Sequence, residues 1–159
     1  MTSSTGLAQA VSNSSNDNMI IHGKTEMYDP FKKTWKELAE MPVPVLNHVS
    51  IVHNDKFYIF GGDSGTYSHL RKSYPTNTIQ EYDPATDKWK LMQGMPFNRA
   101  NMTGQKVGNS VYLIGGFQDD SRDYANPLSE AWRFNLDSLK EFVTIPDTAF
   151  LYALIREGV

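Results

Sequence analysis

The chain of 159 residues contains no cysteine. That excludes disulfides, thiolate metal sites and a cysteine nucleophile. No apolar run approaches the roughly 18 residues of a membrane-spanning helix. No segment sustains a 3.6-residue apolar period, so essentially no helix is expected. Positive charge is also scarce: Lys and Arg number 15 against 18 Asp and Glu, giving a net charge of −3 and a pI near 5.8. Phosphate binding needs a basic field, so neither nucleic acid nor an anionic membrane is an expected partner. Residues 1–15 are polar, rich in Ser and Thr, and carry no basic side chain. No secretory signal is visible there; a soluble protein is expected, in a compartment the sequence leaves open.

Aromatic side chains, by contrast, make up 12% of the chain, within a hydrophobic fraction of 40%. That suffices for one globular unit with a core, and the aromatics fall in register. Tyr28-Asp29-Pro30 recurs as Tyr82-Asp83-Pro84, Trp35 as Trp89, Met41-Pro42 as Met95-Pro96, and Gly61-Gly62 as Gly115-Gly116. Every landmark returns 54 positions later, which marks an internal repeat. A third copy is degenerate. Phe134-Asn135-Leu136 stands for Tyr-Asp-Pro, Phe142 stands near the Trp place, and Ile145-Pro146 replaces Met-Pro. In the first copy residues 16–23 align with 54–61, so its loop is short. Residues 149–159 resemble the start of a further copy, with Gly158 in the place of Gly108. The expected division is a polar segment or first outer strand at 1–15, repeats at 16–46, 47–100 and 101–148, and an opening strand at 149–159.

Each repeat reads as four short strands between turn signals. They are expected near 47–53, 56–61, 78–82 and 88–92, and again near 101–107, 110–115, 129–134 and 140–144. The runs Phe57-Tyr58-Ile59-Phe60 and Val111-Tyr112-Leu113-Ile114 are apolar on both faces, as strands buried between two neighbouring sheets would be. Asn54-Asp55 and Gly108-Asn109 suit tight hairpins. Asp29-Pro30 and Asp83-Pro84 suit type I turns. Gly61-Gly62 and Gly115-Gly116 end inner strands where a side chain would collide or where φ is positive.

Gly-Gly, Tyr-Asp-Pro, Trp and Met-Pro in this order resemble the kelch repeat over roughly residues 16–159. The resemblance implies an all-β fold: kelch-type β-propeller blades, about three four-stranded antiparallel sheets forming an incomplete ring. Kelch propellers usually close with about six blades, and propellers generally need about four to eight. Three blades therefore imply a piece of a longer propeller, self-association with a second chain, or an open array with uncovered faces.

In such propellers the loops between second and third strands, and the linkers between sheets, lie on one end and commonly bind the partner. The resemblance places Asp63–Thr76, Phe117–Leu128, Pro42–Asn47 and Pro96–Asn101 there. The candidate ligand-binding residues are Asn47, Tyr67, Arg71, Tyr74, Arg99, Asn101 and Arg122. Tyr67, His69, Arg71, Lys72 and Tyr74 together suit a carboxylate, a sugar or an acidic peptide, or else a solvated loop. Arg99 either binds an anionic group or makes a contact between blades. His48 is either a general base or a structural histidine. Asp119, Asp120 and Asp123 lie close in sequence, but the EF-hand's central Gly and final Glu are missing. His22, His53 and His69 are too scattered for zinc. No metal and no cofactor is expected.

Two functions are open at this point. The first is a kelch-repeat binding module that holds a protein, peptide or other ligand on its loop face; no nucleophile–base–orienter set is visible. The alternative is part of an enzyme similar to the kelch-type sialic acid mutarotases (N-acetylneuraminate epimerases). Residues 47–56 and Leu70-Arg71-Lys72-Ser73-Tyr74 carry that likeness. It implies an anionic sugar, with Arg71 or Arg99 on its carboxylate and His48 moving a proton. The copper-radical oxidases on a similar propeller need a cysteine cross-linked to tyrosine, which this chain lacks.

Overall fold

The computed structural model describes residues 21–64, 74–118, 130–139 and 142–145. Among these residues there are ten strands and no helix. The first two strands, β1 (Thr25–Asp29) and β2 (Thr34–Leu38), form a two-stranded antiparallel sheet. A four-stranded sheet follows in the order β3 (Val49–His53), β4 (Lys56–Phe60), β5 (Ile79–Asp83) and β6 (Lys88–Leu91). The last sheet repeats that order with β7 (Thr103–Val107), β8 (Ser110–Ile114), β9 (Ala131–Asn135) and β10 (Phe142–Ile145). Strand pairing is antiparallel throughout. The eight strands expected between residues 47 and 144 are all present, their ends shifted by up to two residues; of the four expected in the first repeat, the described residues show β1 and β2.

The repeat is visible in the pairing register. Tyr28 lies opposite Trp35, Tyr82 opposite Trp89, and Phe134 opposite Phe142. The ring centroids are 5.0 Å apart in both Tyr–Trp pairs and 4.5 Å in the Phe pair. The strands β1 and β2 therefore correspond to the outer pair β5 and β6. Their backbone agrees: the Met41 amide donates to the Gly23 carbonyl (2.7 Å), as the Met95 amide does to Asn77 (2.8 Å). Gly23 thus takes the place of Asn77, at the entry to the outer strands, and residues 21–24 form no strand.

Successive sheets pack face to face. Side chains alternate across β4, so Tyr58 and Phe60 face one way and Phe57 and Ile59 the other. Tyr58 and Phe60 join Val49, Ile51, Val111, Leu113 and Phe134 in the core between the second and third sheets. Ile59 packs instead with Met41 and Val45, against which Trp89 also lies. Both faces of β4 are thus covered, as its apolar run requires. At the inner edge, Gly104 of β7 sits against Val49 of β3 so tightly that a Cβ would fall 2.4 Å from its Cγ1.

The two junctions use different chemistry at one equivalent place. Between the first and second sheets, Gln80 hydrogen-bonds both the amide and the carbonyl of Val43, at 2.9 and 2.8 Å. Between the second and third, Trp132 stands where Gln80 stood and packs against Phe97 in a tilted pair, centroids 4.5 Å apart. An amide-to-backbone clasp has become an aromatic pair.

Candidate functional site

The long loops and the linkers between sheets are rooted at one end of the molecule. Leu46 bridges Asp63, Asp63 bridges Pro75, and Ala100 bridges Phe117. The paired amide–carbonyl bonds measure 3.0 and 2.8 Å at Leu46–Asp63 and 3.0 Å both ways at Ala100–Phe117. Asp63 and Phe117 begin the two loops that lead from second to third strand, so each loop is stitched to the linker entering its own sheet. The linkers are also stitched to one another, through the Asn101 amide and the Asn47 carbonyl at 3.0 Å.

This close weave needs unusual backbone. Asn47 and Asn101 have φ of 54° and 55°, the left-handed region that asparagine tolerates better than most residues. Gly62 and Gly116 also have positive φ. A Cβ on Gly62 would lie 2.8 Å from the Leu46 carbonyl oxygen, and one on Gly116 2.4 Å from that of Ala100. Both reasons anticipated for the glycine pairs, collision and positive φ, apply here.

At the root of the first loop, Asp63 is fully buried. Its carboxylate accepts from the Tyr74 amide at 2.8 Å, while the Ser64 amide donates to the Tyr74 carbonyl. The Tyr74 side chain is half exposed, at the rim of this end. Asn47 and Asn101 are exposed beside it.

Arg99 is placed differently. Only 1% of it is exposed. Its guanidinium reaches Glu130 at 2.9 Å and the Gly115 carbonyl at 3.4 Å, and lies over the Phe97 ring. Its own carbonyl accepts from Gly62 at 2.8 Å. Arg99 therefore links the second sheet to the third, and its charge is committed to Glu130. His48 is half-buried, and burial holds its imidazole below the usual range, against a smaller opposing pull from the Val45 carbonyl. Its Nδ1 has no hydrogen bond of normal geometry. The two side chains do not jointly present a free cation and a base on an open surface. Tyr67, Arg71 and Arg122, with the acids 119, 120 and 123, lie outside the described residues.

The opposite end carries a polar cluster that periodicity did not flag. Glu81 accepts from Lys56 at 2.8 Å and from the Tyr58 hydroxyl at 2.9 Å. Burial alone would raise the Glu81 carboxyl, but these two donors outweigh it and hold it below its ordinary value. Burial and the Glu81 bond push Tyr58 up to about 12. His53 meets Asp137 of the third sheet at 2.8 Å, and Asp137 also bonds Asn109. Asp87 was likewise missed. It accepts from the Tyr82 hydroxyl and the Ala39 amide, each at 2.8 Å, but its counterpart 54 positions earlier is Lys33, so the repeat gave no signal.

The Kelch motif matches residues 44–96. The chain is 32% identical over 118 residues to Kelch-like protein 40 of Xenopus tropicalis, a match spanning 72% of this chain and 18% of that protein. It is 31% identical over 97 residues to Kelch-like protein 7 of Rattus norvegicus, covering 61% and 15%. An F-box/kelch-repeat protein of Arabidopsis thaliana is 26% identical over 129 residues, covering 79% and 32%. The chain thus spans less than a third of the length of these relatives. Among solved structures, that of YjhT superposes with a TM-score of 0.71 at 18% identity, over 88% of this chain and 47% of that one. Repeated landmarks, four-stranded antiparallel sheets stacked through aromatics, and these matches agree, and the chain belongs to the kelch-repeat family.

Proposed function

We propose that the chain is a non-catalytic binding module that holds a protein or peptide on the end bearing its long loops. One observation carries this: the Leu46–Asp63, Ala100–Phe117 and Asn101–Asn47 bonds gather both linkers and both loop roots at one end. Loops on a rigid scaffold are where recognition usually sits. Exposed Asn47, Tyr74 and Asn101 mark the described part of that face, and the same reading assigns Tyr67, Arg71 and Arg122 to it. Arg99 serves that face from beneath, by fixing the linker. That the relatives are Kelch-like and F-box/kelch-repeat proteins several times longer than the matched stretch fits a kelch module within a larger protein. The repeat division at 47–100 and 101–148 goes with this reading.

The outer face of the first sheet is the second partner surface. Trp89 of the second sheet is half-buried on the first, its indole N–H donating to the Ala39 carbonyl at 2.9 Å. Trp35, its counterpart, is 62% exposed, and nearby Phe31 is 89% exposed. This face is built to lie on a preceding blade, supplied by the remainder of a propeller or by self-association.

The test is site-specific photo-crosslinking. A photoreactive phenylalanine analogue at position 47, 74 or 101 is expected to capture the bound protein. The same analogue at 55 or 109, on the hairpins of the opposite end, is not. Capture concentrated at 55 and 109 would overturn the loop-face assignment.

A further inference from the structure

The face that the first sheet turns away from the second departs from the repeat at its contact points. On the second sheet the equivalent face is covered. Gln80 gives an acceptor and a donor to the backbone of Val43, and the Trp89 indole donates to Ala39. Counting back 54 positions, Trp35 keeps the place of Trp89, but Glu26 stands for Gln80, Glu37 for Leu91 and Lys24 for Thr78. Glu26 lies opposite Glu37, and Tyr28 opposite Trp35. Side chains opposite one another, or two apart along a strand, share a side of the sheet. The carboxylate pair therefore lies beside the aromatic pair, about 7 Å further along the strands. Lys24 bridges the two carboxylates, at 3.1 Å from Glu26 and 2.6 Å from Glu37. Its ammonium is held above the ordinary lysine value, chiefly by Glu37 and then by Glu26. The second oxygen of each carboxylate has no partner among the described residues.

Resting on the assignment of this face to a preceding blade, we propose that the covering segment brings an arginine to Glu26 and Glu37, its guanidinium lying over Trp35. One ammonium serves two carboxylates here, which leaves a negative charge where the cover must settle. Glu26 can accept from an amide as Gln80 does, but it has no N–H for the carbonyl. A second clasp of the Val43 kind would set oxygen against oxygen. An apolar cover of the Trp132–Phe97 kind would strip water from a carboxylate and offer nothing in return, which is costly. A cation on the covering segment removes both conflicts. A guanidinium fits better than an ammonium, because its planar fork meets a carboxylate with two N–H groups and its face stacks on an aromatic ring. The chain uses this arrangement at its second junction. Arg99 lies 4.9 Å from the Phe97 ring centroid and reaches Glu130 at 2.9 Å, and Phe97 holds the place of Val43 in the repeat.

The experiment uses the whole chain and two synthetic peptides, followed by NMR at the Trp35 indole N–H. One peptide has the sequence of residues 37–45, the stretch that covers Trp89 within the chain. The other differs by Val43→Arg. The arginine peptide is expected to shift the Trp35 resonance and to bind roughly fivefold more tightly or better, the worth of a partly exposed charged contact. In the chain carrying Glu26→Gln, which restores the amide of Gln80, that preference is expected to be lost. If the variant does not fold, the ranking of the two peptides on the unaltered chain still decides. Equal binding of the two peptides, or a preference that survives in folded Glu26→Gln, overturns the arginine assignment and leaves blade docking standing. No response at Trp35 to either peptide at millimolar concentration, or a response at Trp89 in its place, overturns both. Peptide binding that fades as the chain is concentrated gives the face to a second copy and overturns the proposal.

Discussion

Asn101 donates its backbone amide to the carbonyl of Asn47, 3.0 Å away, and the two asparagines hold the same position in successive sheets. Each enters its linker with positive φ. The bond therefore depends on two residues adopting the same strained conformation. Asn47→Val or Asn101→Val is expected to cost about 1–2 kcal/mol through the left-handed backbone alone. Asn→Gly at either place should cost little. Urea unfolding midpoints check this, and equal loss from Val and Gly would refute the backbone explanation.

Trp35 and Trp89 share a place in the repeat but not an environment. Trp89→Phe removes the bond to Ala39 and part of a packed ring, and is expected to destabilise by about 1–2 kcal/mol. Trp35→Phe, on an exposed surface, should stay within about 0.5 kcal/mol. Thermal denaturation at low protein concentration measures both. Light scattering at rising concentration tests the face itself: Trp35→Lys should reduce association, and an unchanged mass profile would count against a blade docking there.

The Lys56–Glu81–Tyr58 cluster gives stability a defined pH dependence. The folded Glu81 pKa is lowered, so its contribution is present above the ordinary carboxylate range and fades as pH falls through the lower folded value. Tyr58 is raised to about 12, so its contribution holds below the ordinary tyrosine value of about 10 and fades as pH rises towards about 12. Glu81→Gln is expected to cost about 1.5–3 kcal/mol near neutral pH, since two donors lose a charged acceptor. The acid limb of a stability–pH curve should flatten in this variant; a limb identical to that of the unaltered chain would assign the dependence elsewhere.

Gly116→Ala combines positive φ with a Cβ placed 2.4 Å from the Ala100 carbonyl oxygen. A loss above about 2 kcal/mol is expected. Hydrogen exchange should report it first at the Ala100–Phe117 bridge, where the paired amides would lose protection.

The 54-residue recurrence of Tyr-Asp-Pro, Trp, Met-Pro and Gly-Gly was enough to read an all-β stack of four-stranded sheets and to place most strands within two residues. That follows because each landmark is local chemistry: an Asp-Pro turn, a glycine pair at positive φ, an aromatic cross-strand pair. It also identified Phe142 as the degenerate tryptophan. Asp87, Glu130 and Asp137 stayed hidden, because their partners Ala39, Arg99 and His53 come from other strands or from the neighbouring sheet and follow no period.

Sequence alone, then, decided the repeat, its strands and turns, and which runs would be buried on both faces, since these depend on neighbours along the chain. Tertiary structure decided that Arg99 turns inward to Glu130, that Trp35 and Trp89 part ways, and that the Gln80 clasp on Val43 at one junction is a Trp132–Phe97 pair at the next. Those outcomes depend on what the adjacent sheet presents at each contact, and repeats identical in pattern can still meet different partners in space.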